Sequence, residues 1–319
     1  MEGIFIGKEI RYVCAQPANE YYVWQVDVML NNFRKQGINL NQVDIVCWKQ
    51  NGTIPESWLK LARHYSARFF FYEDTRETKD YVSSIRPNIL KQHFKKYPEI
   101  GNDIIFYHDC DIVFTKPPSE WITEDMRTDD NWYGSDTRWY IGHDYILSKG
   151  EDVLDKMCEI VGIDKVLVEK NELNCIGAQY LMKGIDFDFW DKVEKDSERL
   201  FKEITELSNK KSIGRPEYHE LQIWCSDMWA VLWNGWLRGN HTVCHENFEF
   251  TWATETENNW NENNIFHNAG VINSTSNLFY KADYMNNYPY NVTLELKTES
   301  ASYKYWLEIC DTARQTPLA

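Results

Sequence analysis

The chain contains no apolar run approaching the ~18 residues a membrane span needs, and its first residues, MEGIFIGKEIRY, lack a signal-peptide pattern. Its eight cysteines (14, 47, 110, 158, 175, 225, 244 and 310) are dispersed, with no C-x-x-C pair. This distribution favours buried free thiols in a reducing compartment over a disulfide framework or a zinc site. A soluble, cytoplasmic protein is the expectation. Positive charge is scarce too: 34 Lys and Arg face 49 Asp and Glu, a formal net charge of −15. That is the wrong sign for a protein that grips nucleic acid by neutralising phosphates. The small basic groups at Lys91, Lys95, Lys96 and at Lys210, Lys211, Arg215 read as solvated faces or loops. No internal repeat and no clear interdomain linker is present.

What the chain has in excess is aromatic: 15% of its 319 residues, with 14 tryptophans. Two readings stand, a heavy core or a cleft lined with flat rings of the kind that suit sugars. The length accommodates one large α/β domain or two fused halves.

Strand-like and helix-like segments alternate over the first 115 residues. IRYVCAQ (10 to 16), VDIVCWK (43 to 49), ARFFFYED (67 to 74) and DIIFYHD (103 to 109) read as strands. The segments 21 to 37, 55 to 65 and 83 to 97 carry helical spacing, the first stopping at Gly37 and the last holding Pro87 in its first turn. Such alternation predicts an α/β fold with a mainly parallel central sheet flanked by helices, and ligands at the carboxyl ends of the strands. Farther on, strands are expected at 132 to 137, 174 to 185 and 242 to 250, and helices at 151 to 162, from 187 to about 207, at 221 to 236 and at 303 to 315. SNKKSIGRPE reads as a polar linker. The stretch 253 to 264 reads as a mobile polar loop, of which Glu255 to Asn264 is a candidate lid over a bound ligand.

The most informative feature is IIFYHDCDIVF, residues 104 to 114. An apolar strand stops at two carboxylates, Asp109 and Asp111, before apolar residues resume. Ionised carboxylates beside a buried strand are costly unless a cation or hydrogen-bond donors satisfy them, so the pair reads as a metal clamp. A D-x-D at a strand end serves two chemistries. In haloacid-dehalogenase phosphatases it supplies a nucleophile and an acid, but at the first strand of the domain; here three strand-helix units precede it.

The other setting is the metal-dependent, GT-A type (D-x-D) glycosyltransferases, which this chain resembles over most of its length. The resemblance implies a GT-A, Rossmann-like fold and transfer of a sugar from a nucleotide diphosphate, UDP above all, to an acceptor hydroxyl. It places a Mn²⁺ or Mg²⁺ ion at Asp109 and Asp111, with Asp111 the more direct ligand. His267, in NNIFHNAG, resembles the late H-x-x-G histidine that completes the metal shell in several retaining families. The lysine and Pro-Trp that follow soon after this glycine in glycogenin-like enzymes are absent, which leaves that particular family unassigned.

By the same resemblance Ala15, Gln16 and Pro17, at the end of the first strand, cradle the base, and Arg86 grips a phosphate or holds Asp109. Asp136 and Arg138 touch the donor sugar. Gln179, in the small-residue turn GAQYLM, bonds sugar hydroxyls, and Asp227, among Trp224 and Trp229, binds or deprotonates the acceptor hydroxyl. Each of these has a plain structural alternative in a turn, a core pair or a surface ion pair. The implied organisation is a single domain over 1 to 319: a nucleotide-sugar-binding half (1 to 115), an acceptor-binding half (116 to 285) and a C-terminal helical segment (286 to 319). The acceptor stays open between a glycan, a protein and a hydroxylated DNA base. A phosphatase and a non-catalytic carbohydrate-binding protein stand as alternatives.

Overall fold

A computed structural model describes residues 9–215 and 217–318. Among the described residues there are ten strands: β1 (Ile10–Pro17), β2 (Val43–Trp48), β3 (Arg68–Tyr72), β4 (Ile104–Tyr107), β5 (Ile112–Phe114), β6 (Trp132–Asp136), β7 (Ile176–Met182), β8 (Thr242–Cys244), β9 (Phe250–Trp252) and β10 (Ile265–His267). Seven form a mostly parallel central sheet in the order β3-β2-β1-β4-β7-β6-β8, and three form a small sheet, β5-β10-β9. The chain divides into two compact units. One contains the residues up to Glu73, Tyr107–Thr128 and the residues from Glu246 onward; the other contains Asp74–Phe106 and Asp129–His245.

In the first unit β1, β2 and β3 pair in parallel, with Tyr12 opposite Val43 and Asp44 opposite Arg68. β1 and β2 are buried along nearly their whole length, as expected of near-continuous apolar strands covered on both faces. The helix Glu20–Lys35 starts where Asn19 accepts from the Tyr22 amide, and Arg34 and Lys35 oppose the negative end of its dipole. Gly37, at φ 79°, turns the chain after the helix in a left-handed conformation. The helix Ala301–Ala313 begins at the Ser300 cap and buries Tyr305, Trp306 and Ile309 with Trp24, Val113, Phe266 and Phe279.

In the second unit β6 and β7 are antiparallel, with a register shift between Gly134 and Ser135, and β6 runs parallel to β8. The helices Ile85–Lys96 and Phe187–Ser212 carry this unit's packing together with Ser226–Leu237. The last of these is apolar enough to bury Trp229, Ala230, Leu232 and Trp233 completely or nearly so.

Three expectations are corrected. The supposed linker from Ser208 is helical as far as Ser212, because Lys210 and Lys211 suit a helix C-terminus and Lys211 also pairs with Asp152. The strand expected over 242 to 250 is broken by a 3-10 turn at Glu246–Phe248, where the Asn247 side chain donates to the Trp121 carbonyl at 2.7 Å. The polar stretch after Ala253 is not a loop throughout: Glu257–Glu262 is a helix closed by a reciprocal Thr256–Asn259 capping box.

The tryptophan excess is largely core. Trp24, Trp58, Trp132, Trp190, Trp229 and Trp233 are fully buried, whereas Trp139 and Trp224 are more than 60% exposed (63% and 64%). All eight cysteines are free thiols, six buried and two partly so. No helix among the described residues is long and apolar enough to cross a membrane.

Candidate functional site

The chain leaves β4 at Tyr107 and resumes as β5 at Ile112, so Asp109 and Asp111 occupy the turn between two buried strands. His108 fixes the start of this turn. Its amide donates to the Val13 carbonyl at 3.1 Å, and its Nδ1, 2.8 Å from the Asp109 carbonyl, has to carry the proton for that contact to be a hydrogen bond. Burial pulls the His108 imidazole down to about 4 despite that carbonyl, so the ring is neutral near pH 7 and adds no charge.

The small sheet then supplies the histidine. β10 pairs antiparallel with β5, placing His267 opposite Ile112, and the Asn268 amide donates to the Asp111 carbonyl at 3.0 Å. His267 Nε2 lies 3.3 Å from Asp111 Oδ1 and 3.5 Å from Asp109 Oδ2. One ligand atom from each of the three residues falls within 4.8 Å of the other two. The imidazole packs against the neighbouring Phe250 and Trp252 rings, at 5.4 and 6.4 Å between centroids. Gly270 turns the chain just beyond at φ 92°, and a Cβ there would meet the Trp252 ring at 3.4 Å. The glycine of H-x-x-G is thus required by the backbone itself.

Asp111 is buried, and burial alone would raise its carboxyl. The charges of Lys281 and His267 outweigh that and hold it well below the usual carboxylate range. Lys281 is correspondingly raised: burial works against its charge, but Asp111 wins. Lys281 donates to Asp111 Oδ2. Tyr21, close to both, is pushed up to about 12, first by burial.

The residues suit a divalent ion. Two hard carboxylates and one imidazole match Mn²⁺ or Mg²⁺ better than a thiolate-seeking metal. Two like unit charges ~4 Å apart repel by about 4 kcal/mol at an effective dielectric of ~20, and an intervening cation turns that repulsion into attraction. Beside the cluster, the buried Asn268 Nδ2 has no acceptor among the described residues, as a donor awaiting an anionic ligand oxygen would have.

Of the other residues singled out by sequence, Ala15, Gln16 and Pro17 do end β1 in the same unit. The Gln16 side chain, however, turns into the core and donates to Val46 O and Cys47 Sγ, both at 3.3 Å; Ala15 is buried and Pro17 partly exposed.

Arg86, Asp136, Gln179 and Asp227 lie in the second unit. Arg86 forms an ion pair with Asp227 Oδ2, and the Tyr81 hydroxyl donates to Oδ1 at 2.7 Å, so both oxygens of Asp227 are engaged. Asp136 accepts from the Arg138 guanidinium, with Nε–Oδ2 at 2.9 Å. Gln179 is fully buried on β7 beside Ala178, whose φ of 59° marks a bulge rather than a simple turn.

Sequence reasoning missed Lys281, Asn268 and the short strands β5 and β10. IVF and IFH are each too short for periodicity to register. Lys281 lies farther from Gly270 than a local motif search extends.

No known family profile and no curated protein sequence matches the chain. Solved structures do. The bifunctional glycosyltransferase WbbM in its apo form aligns over 99% of this chain at TM-score 0.50 and 8% identity. The fold is that of the GT-A glycosyltransferases. The alignment takes in 51% of the WbbM chain, so this chain spans about half of that protein's length. Lower similarity extends to the galactosyltransferase LgtC, solved with donor and acceptor sugar analogues (TM-score 0.42, 10% identity, 97% of each chain). It extends also to GlyE from Streptococcus pneumoniae (TM-score 0.44, 10% identity, 96% of this chain and 63% of that one). In this GT-A fold the acidic turn, the late histidine and Gly270 occupy one place.

Proposed function

We propose that the protein is a glycosyltransferase that moves a sugar from a nucleotide diphosphate, UDP foremost, to an acceptor hydroxyl with a divalent ion at Asp109, Asp111 and His267. The observation that carries this reading is the convergence of His267, more than 150 residues away in sequence, with the Asp109–Asp111 turn, so that one ligand atom from each lies within 4.8 Å of the others on a GT-A fold. That fold also favours glycosyl transfer over phosphate-ester hydrolysis by an aspartyl nucleophile.

When bound, Mn²⁺ or Mg²⁺ would offset the charge that develops on the departing diphosphate. Asp109 and Asp111 orient the diphosphate end of the donor through that ion, and His267 completes the set of ligands. Lys281 offers a second positive charge to the same oxygens. The end of β1, at Ala15 to Pro17, receives the base through its backbone, since the Gln16 side chain is committed to β2. Asp136 serves the donor sugar; Gln179, fully buried on β7, can reach a sugar hydroxyl only if the bulge at Ala178 opens. Asp227 serves the acceptor hydroxyl, and to act as a base it has to release Arg86.

The test is a panel of nucleotide sugars with Mn²⁺, read by donor hydrolysis and by the shift in melting temperature. A response to one donor that vanishes in Asp111→Asn supports the reading. Silence across the panel, or a response undiminished in Asp111→Asn, rejects it.

A further inference from the structure

The chain itself contributes a cation to the acidic cluster. Lys281 begins a short 3-10 turn, Lys281–Tyr284, just after Phe279, which is fully buried against Trp24, Tyr305 and Trp306. Its ammonium takes Asp111 Oδ2 while His267 takes Oδ1, so both oxygens of the carboxylate are engaged. The Asp111 side chain is 8% exposed and that of Lys281 29%. A buried carboxylate cannot be left alone at low cost, and the lysine explains how the protein folds around it.

We propose that Lys281 is a built-in competitor for the cation site, so that tight metal binding is conditional on the diphosphate of the donor. The inference rests on the metal reading of Asp109, Asp111 and His267. A divalent ion arriving at Asp111 meets an ammonium already seated on the same carboxylate. Like charges in a poorly solvated site repel strongly, so the metal either evicts Lys281 or shares the acid with it at a loss. A nucleoside diphosphate changes the balance, because its phosphate oxygens give the displaced ammonium and the metal a common counter-charge. Metal and diphosphate then strengthen one another, and the coupling is reciprocal. Lys281 thereby sets the order of loading, first through Asp111 and then through the diphosphate itself.

Mn²⁺ binding, followed by the electron paramagnetic resonance signal of the free ion, tests this without any catalytic readout. Wild type, Lys281→Met, Lys281→Arg and Asp111→Asn are compared with and without UDP, and Lys281→Gln replaces Lys281→Met if circular dichroism shows the latter unfolded. The wild type should bind Mn²⁺ at least tenfold more tightly with UDP. Lys281→Met should bind Mn²⁺ alone at least tenfold more tightly than wild type, with the gain from UDP reduced at least threefold; Lys281→Arg should resemble wild type. If Lys281→Met binds Mn²⁺ alone no better than wild type while Asp111→Asn abolishes binding, the competitor is overturned and the metal site survives. If no variant holds Mn²⁺ with or without UDP, both fall.

Discussion

His267 stands opposite Ile112 across the antiparallel pair of β10 and β5, so backbone register delivers its imidazole to Asp111. Because the ring is a ligand candidate, His267→Ala should weaken Mn²⁺-dependent stabilisation by UDP at least tenfold, beyond whatever stability is lost with its packing on Phe250 and Trp252. Thermal melts with and without the two ligands check this. An undiminished shift removes His267 from the metal set.

The pairing of Arg86 with Asp227 is mostly enclosed, with side chains 26% and 8% exposed. Removing one member of such a pair leaves a charge stranded. Arg86→Met should cost about 2–3 kcal/mol, discounted from the 3–5 of a fully buried pair because the guanidinium is partly solvated. Adding Asp227→Leu to it should recover part of that loss. Urea unfolding of the single and double variants decides, and a neutral Arg86→Met would show that the pair carries no stability.

Asp27 is fully buried and collects three hydroxyls: Tyr65 and Tyr290, each at 2.6 Å, and Thr316. Burial raises its carboxyl above the usual value, although the three hydrogen bonds pull the other way. A carboxyl raised on folding stabilises fully below its unfolded value near ~4 and loses that contribution as pH climbs through the folded value. Asp27→Asn should flatten this dependence, whereas Asp27→Leu, which strands three hydroxyls, should cost about 3 kcal/mol at every pH. Stability measured from pH 4 to 8 separates the two. An Asn variant as pH-dependent as wild type contradicts the assignment.

Gly134 sits at the register shift of β6, where an added Cβ would lie 2.8 Å from Ile176 Cβ and 2.9 Å from the Gln179 carbonyl. Gly134→Ala should therefore destabilise the protein by about 1–3 kcal/mol, the usual cost of overpacking, and displace Gln179. A stability within 0.5 kcal/mol of wild type, a change of the size ~0.5 typical of surface sites, would mean the bulge relaxes freely.

Much of the fold was legible because its signals are local. The strand at Ile10–Pro17, the helix ending before Gly37 and the helix holding Pro87 near its start all follow from periodicity and turn chemistry. Asp109 and Asp111 were legible because charge interrupts an apolar run. His267 was reached only by resemblance, since its partner strand lies far away in sequence. Lys281 was illegible: a lysine in FYKADY looks like any surface residue until Phe279 is seen packed into the core. The helix at Glu257–Glu262 was hidden by polar composition, its signal residing in the Thr256 and Asn259 pair.

The separation of 170 residues between Lys281 and Asp111 has a consequence for synthesis. At ~5–20 residues per second, a ribosome extrudes the two acids roughly 10 to 30 s before their lysine emerges. During that interval a nascent chain carries adjacent anions at the tip of an unfinished sheet. The lysine that balances those anions arrives last, so the charge at this turn is settled only when the chain is nearly complete.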